Sequence, residues 1–165
     1  MGARSHLFVV SGWRWLWLAL VVIVLDQATK QVAVALLDPY QPVPVFPGFN
    51  FTLMFNTGAA FSFLAAAGGW QRWLFAAIAL GVSIFILMWL RRIPRAEVWL
   101  PIALVLILGG ALGNLWDRIV LGHVVDFIDL YAGDYRWPAF NVADSAISVG
   151  AVMLVIDAFR PQRHR

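Results

Sequence analysis

Four long apolar stretches dominate the chain and leave little choice of fold. Trp15 to Leu37, Trp73 to Leu90, Val98 to Trp116 and Asn141 to Phe159 are each close to the roughly 20 residues that a helix needs to cross a bilayer. The 165 residues are 62% hydrophobic and 13% charged, so little polar material is left to build a separate soluble module. The expectation is therefore an α-helical membrane protein with four transmembrane helices in one domain, residues 1–165. Segments of about 38–70 and 117–140 lie together on one side of it. The basic residues before the first stretch give it the flavour of a signal peptide. No small-x-small cleavage site follows, however, and the stretch runs on into Asp26-Gln27-Ala28-Thr29-Lys30, so it is read as a retained helix.

Orientation follows from the cations. Arg4 and Arg14 precede the first span, Arg91, Arg92 and Arg95 separate the second from the third, and Arg160, Arg163 and Arg165 follow the fourth. These eight cations face only Glu97 and Asp157, a net +6. The other side holds Lys30, Arg72, Arg118 and Arg136 against seven aspartates, a net −3. Cytoplasmic loops carry the excess of Lys and Arg, so both termini are expected in the cytoplasm and the 38–70 and 117–140 segments outside. The same topology accounts for the alkaline pI near 10.0. The arginines flank spans and form no basic stripe of the kind that binds nucleic acid.

Against this background, charged residues in or beside the spans carry the information. Asp126, within Val124-Val125-Asp126-Phe127-Ile128, and Asp144, at the head of the fourth span, both fall at the outer face. An ionisable group there is costly and marks a functional site by default. For Asp144 a structural reading stands beside the chemical one: a carboxylate in the first turn of a helix favours the positive end of its dipole, with Asn141 as N-cap. Asp26 and Lys30, four apart on one helical face, read as a structural ion pair near the interface. Gly109 and Gly113 permit close helix packing. Asn114 and Arg118 share a face at the membrane exit beside Asp117, either as an interfacial charge group or as part of a site. Asp38, Asp129 and Asp134 read as solvated, and Trp70, Trp73, Trp116 and Trp137 as an interfacial aromatic belt. Cysteine is absent, which excludes disulfides, thiol nucleophiles and thiolate metal sites. Lone His123 is a poor metal ligand. No metal site and no cofactor are expected.

Between the first two spans, the proline-rich Tyr40 to Gly48 excludes a helix. In Phe49 to Phe55, Phe49, Phe51 and Leu53 alternate with Asn50 and Thr52, which predicts a strand. Asn56-Thr57-Gly58 supplies a turn. In the last outer segment, His123 to Tyr131 is expected to form a short amphipathic helix, ended by Gly133 and Pro138.

These blocks occur in an order that carries a resemblance. Asp26-x3-Lys30, Asn56-Thr57-Gly58-Ala59-Ala60-Phe61, Gly109-Gly110-Ala111-Leu112-Gly113-Asn114-Leu115-x-Asp117-Arg118, Val125-Asp126-Phe127 and Phe140-Asn141-x-Ala143-Asp144 together resemble bacterial lipoprotein signal peptidase, the signal peptidase II family. The resemblance implies an aspartic endopeptidase of the bacterial inner membrane with its active site at the periplasmic face. Its substrates would be prolipoproteins already carrying a diacylglyceryl group on cysteine, cut immediately before that cysteine. It implies Asp126 and Asp144 as the catalytic pair and Asn56, Asn114, Arg118 and Asn141 as residues lining or supporting the site. Asp26 and Lys30 would be more structural. It further implies a periplasmic β-cradle from about Tyr40 to Phe63 and a short periplasmic helix closing over substrate. Besides prolipoprotein and membrane lipid no obligate partner is implied. The main alternative from the residues alone is a proton- or ion-coupled transporter using Asp26, Asp126 and Asp144 as a relay. It lacks the duplicated pair of broken helices that inverted-repeat transporters show.

Overall fold

The computed structural model describes residues 11–58 and 68–160. Part of the Asn56 to Phe61 block, and of the expected cradle to Phe63, therefore lies outside the described residues. A single 3-10 turn, Gly12–Trp15, leads into α1, Leu16–Leu36, and the remaining helices are α2, Trp70–Leu90, α3, Trp99–Val120, and α4, Val142–Phe159. All four are long and apolar enough to cross a membrane, and their bounds follow the expected spans to within a few residues. The largest difference is at the end of α3, which continues one turn beyond Trp116. Asp117 and Arg118 are thereby helical and remain in register with Asn114.

α3 is the centre of the bundle. In its most apolar stretch 67% of the residues are buried, against 28%, 22% and 17% for α1, α2 and α4. The close approach comes from glycine. A methyl group at Gly109 would lie 2.8 Å from Val22 Cβ, and one at Gly113 would lie 2.7 Å from Asp26 Oδ2, so this face fits α1 only without side chains. On the neighbouring face a methyl at Gly110 would collide with the Ala143 carbonyl and lie 2.7 Å from Ile147, which brings the head of α4 against α3. Away from the polar end, Leu90, Ile93, Leu100, Leu104, Val105 and Leu108 form a dry core with Ala19 and Ile86.

A four-stranded antiparallel sheet covers one end of the bundle, in the order β1-β2-β3-β4: Val43–Phe46, Phe49–Asn56, Val124–Ala132 and Tyr135–Arg136. The expected strand is β2, reached from β1 through the Pro47-Gly48 turn, where Gly48 has a positive φ of 95°. Its alternation has an unexpected sense. Asn50 and Thr52 are buried and Phe51 between them is 36% exposed, while Leu53, where the register shifts between Phe51 and Met54, is buried again. The short helix expected over His123 to Tyr131 is absent. The segment is β3, which pairs with β2 over Asn56↔Val124, Phe55↔Val125 and Met54↔Asp126. The pattern of apolar residues fits either period, and an available partner edge decided it. Asp129 is not solvated. It is 2% exposed, because Asn50 and Thr52 from the buried side of β2 both donate to its Oδ2, at 3.1 and 2.8 Å, and exposed Arg136 pairs with the same oxygen at 2.6 Å.

Candidate active site

Asp126 and Asp144 arrive at one place from different elements. Asp126 is carried by β3 and Asp144 by the first turn of α4. The two elements are tied together at Phe140, whose backbone exchanges hydrogen bonds with Ile128 at 2.9 and 3.1 Å and accepts a third from the Phe127 N–H. Asn141 follows as the N-cap of α4. Its side-chain oxygen accepts from the Asp144 N–H at 2.9 Å, while Asp144 Oδ2 accepts from the Asn141 N–H at 3.3 Å, a reciprocal capping box. Both readings of Asp144 thus describe one geometry: the residue caps its helix with one oxygen and presents the other to the cavity.

Two buried amides join the carboxylates. Asn141 Nδ2 donates to Asp126 Oδ1 at 2.8 Å and lies 3.2 Å from both the Val125 carbonyl and Asn114 Oδ1. Asn114 Nδ2 donates to Asp144 Oδ1 at 2.7 Å. The second oxygen of Asp126 accepts from Asn56 Nδ2 at 3.1 Å, at the end of β2. Burial raises the proton affinity of Asp126, and the negative charge of Asp144 raises it further. The donors Asn56 and Asn141 and the distant Lys30 cation only partly oppose this, so its pKa is pushed up to about 7. Asp126 therefore exchanges its proton near neutrality.

The remaining residues singled out by sequence fall around this pair. Arg118 reaches over the cavity with long contacts, 3.4 Å to the Asn114 carbonyl and 3.3 Å to the Gly58 carbonyl, and packs across the Phe75 ring. Among the described residues its Nε has no partner. Asp26 and Lys30 do form the expected ion pair, at 2.8 Å, and it is buried within the protein. Lys30 makes a second ion pair at 2.8 Å with Asp117, so Asp117 belongs with α1 and not with Arg118. Gln27, which sequence reasoning overlooked, donates to Asp117 Oδ1 at 2.8 Å and to Asp26 Oδ2 at 3.2 Å. Its position beside Asp26 was the available signal. Among the described residues no group of three or more His, Asp or Glu side chains is placed to hold a metal ion.

The carboxylates open into a cavity of about 560 Å³ whose walls include Asn56, Asn114, Arg118, Trp137 and Phe140, with Ile147, Ser148 and Val149 further along α4. A second cavity of about 530 Å³ shares Asp126, Asn56 and Trp137 and extends over the sheet past Tyr40, Phe55 and Arg136. Asp126 lies where an apolar space in the bundle meets a more polar one over the sheet.

The sequence pattern that defines Signal peptidase (SPase) II matches residues 18–160. The chain belongs to the signal peptidase II family. It is 59% identical over 151 residues to the lipoprotein signal peptidase of Pseudomonas putida, covering 90% of this chain and 88% of the relative. It is 56% identical over 155 residues to that of Pseudoalteromonas atlantica, covering 94% of each. The fold is similar to that of a bacterial membrane enzyme solved by the in meso method at 2.3 Å resolution, with TM-score 0.82 and 28% identity over 97% of this chain and 99% of that one. A second such structure, at 1.9 Å, gives TM-score 0.80 and 28% identity over 95% and 100%. Membership makes the chain an aspartic peptidase, and nothing in these relatives supports the transporter reading.

Proposed function

We propose that this peptidase cleaves diacylglyceryl-modified prolipoproteins immediately before the lipidated cysteine, with Asp126 and Asp144 as its catalytic pair. The observation that carries the assignment is two carboxylates from separate elements, joined through the Asn114 and Asn141 amides, opening into one cavity at the end of an apolar bundle. One aspartate, ionised, takes a proton from a water molecule as its oxygen attacks the scissile carbonyl carbon. The other, protonated, donates to the carbonyl oxygen. The tetrahedral intermediate then collapses: its C–N bond breaks, the proton held by the first aspartate passes to the departing amine of the cysteine, and a hydroxyl proton of the intermediate returns to the second aspartate. Asn56, Asn114 and Asn141 hold the carboxylates in place, and Arg118 holds substrate backbone or head group over the cavity. The apolar wall on α4 takes the signal helix and acyl chains, so that lipid confinement and orientation do much of the binding.

The same reading places the protein in the bacterial inner membrane as one domain, with both termini cytoplasmic and the sheet at the periplasmic face. Its support is the grouping of cations at the bundle end away from the sheet. Arg14 bonds the Glu97 carbonyl and Arg160 stacks on Trp99, next to Arg91, Arg92 and Arg95. The test is cleavage of a purified diacylglyceryl-modified prolipoprotein in detergent, read by mass as loss of the signal peptide. Wild type should process it and leave the unlipidated precursor largely uncut. Asp126→Asn and Asp144→Asn should each lower turnover by about 10³-fold or more while remaining folded. Wild-type-like turnover by either variant would overturn the assignment of the pair.

A further inference from the structure

Behind the two aspartates, on the side away from the cavity, Asp26, Lys30 and Asp117 form a buried group with a single lysine between two carboxylates. They are 0%, 3% and 1% exposed. Three charges without solvent are costly, and a core of this kind is often replaceable by apolar residues with no loss of stability. What distinguishes this group is where its hydrogen bonds go. Asp26 Oδ1 accepts from the backbone N–H of Ala143 at 2.9 Å, and Ala143 is the residue before Asp144. Asp117 Oδ2 accepts from the backbone N–H of Val125 at 3.2 Å, and Val125 is the residue before Asp126. The ammonium of Lys30 has three protons, which go to Asp26, to Asp117 and, at 3.0 Å, to Asn114 Oδ1. With that oxygen engaged, the Asn114 amide has one orientation, with Nδ2 toward Asp144.

We propose that Asp26, Lys30 and Asp117 act as a positioning unit: each carboxylate fixes the backbone just before one catalytic aspartate, and the lysine sets the amide that holds Asp144. This rests on the assignment of Asp126 and Asp144 as the catalytic pair. The unit spans α1 and α3 and reaches β3 and α4, so it ties the two carriers of the pair to one rigid reference. Lysine suits the position because it offers three donors and no acceptor from one atom. A guanidinium is larger and planar, and the Asp26 oxygen that meets Lys30 lies only 2.7 Å from where a methyl on Gly113 would be.

The test separates positioning from support. Lys30→Met, Asp117→Asn and the double variant Lys30→Met/Asp117→Asn, which keeps the net charge of the buried group, are purified in detergent. Turnover on lipidated prolipoprotein is then measured well below each variant's own unfolding temperature. The expected result is a kcat at least tenfold below wild type for the folded single and double variants, with KM within about twofold. A purely supporting role would instead lower Tm and leave kcat intact. Adding Lys30→Met to Asn114→Ala should then cost far less than Lys30→Met costs alone, because the lysine acts partly through that amide. Folded variants with wild-type kcat would overturn the proposal, as would failure of both the single variants and the charge-balanced one to fold, which would mark the group as needed for assembly. If the catalytic pair itself were wrongly assigned, Asp126→Asn or Asp144→Asn would stay active, an outcome distinct from either.

Discussion

Asp126 accepts two amide hydrogen bonds that favour its ionised form, yet burial and the neighbouring Asp144 win, and its pKa is pushed up to about 7. Asp126 and Asp144 share one cavity and titrate as a coupled pair, so the proton that Asp126 holds up to about 7 belongs to the pair. A mechanism that needs one proton on two carboxyls loses its acid when that proton goes. The rate on lipidated prolipoprotein should therefore decline as pH rises through about 7, approaching tenfold per unit beyond it, and a flat profile to pH 9 would contradict this. Stability has the same origin and a related sign. Between its ordinary 3.8 and about 7, Asp126 binds more proton in the folded chain than in the unfolded one, so the wild type loses stability as pH rises across that window. Asp126→Asn lacks this loss. Its Tm relative to wild type should increase from pH 4 to pH 7, corresponding to at most about 4 kcal/mol. One carboxamide oxygen cannot serve both Asn56 and Asn141, a cost that lowers the variant's Tm equally at every pH and leaves this trend unchanged. Unfolding monitored in detergent at several pH values decides it. At Arg118, Lys keeps the charge but lacks the planar fork, so Arg118→Lys should lower kcat/KM by about tenfold with unchanged Tm. Normal kcat/KM would remove Arg118 from substrate binding.

At the scale of elements, the site depends on two approaches that differ in how visible they are in sequence. The packing of α3 against its neighbours was legible in the Gly109 to Gly113 block, since small residues four apart on an apolar helix have few other uses. The pairing of β3 with β2 was not. Val124, Val125, Phe127, Ile128, Leu130 and Tyr131 satisfy a helical period as well as an extended one, and what selects the strand is an edge about 70 residues away in the chain. The same pairing hid Asp129, whose partners Asn50 and Thr52 belong to the other strand. Sequence showed that they alternate with apolar residues but not that Asn50 and Thr52 are buried. Gly110 joins the packing to the chemistry, because a methyl there meets the Ala143 carbonyl in the turn that carries Asp144. Gly110→Ala should displace the head of α4, destabilise the fold by about 1–3 kcal/mol and reduce turnover well beyond the fraction unfolded. Gly81, where a methyl meets nothing within 4 Å, is the control, and Gly81→Ala should match wild type in both assays. Equal behaviour of the two variants would show that the α3–α4 approach is not set by Gly110.

For the whole molecule, the division of labour runs along the bundle axis. One end is a dry core of leucine, isoleucine and valine flanked by arginines. The other end gathers buried aspartates, asparagines and one lysine under a sheet. Sequence exposed this polarity because apolar length, cation placement and intramembrane charge are each properties of the chain that need no knowledge of contacts. The ordered motifs then pointed to the residues of the site. What sequence could not supply was depth. It took Asp129 for solvated and gave no sign that the Asp26–Lys30 pair is enclosed by protein, since burial depends on which elements pack above a residue. Orientation in the membrane remains the property on which the substrate depends, because a pair of aspartates facing the cytoplasm would never meet a translocated prolipoprotein. The cation excess at the Arg14, Arg91, Arg92, Arg95 and Arg160 end predicts that end to be cytoplasmic. Alkaline phosphatase fused after Arg95, or after Arg165, should therefore be inactive. The same enzyme inserted at the Gly133 to Arg136 turn, or between Asp38 and Gly48, should be active, with green fluorescent protein giving the reverse pattern at each position. A cytoplasmic signal from the Gly133 to Arg136 turn would place the sheet and both aspartates on the wrong side, and the assignment of a prolipoprotein substrate would fall with it.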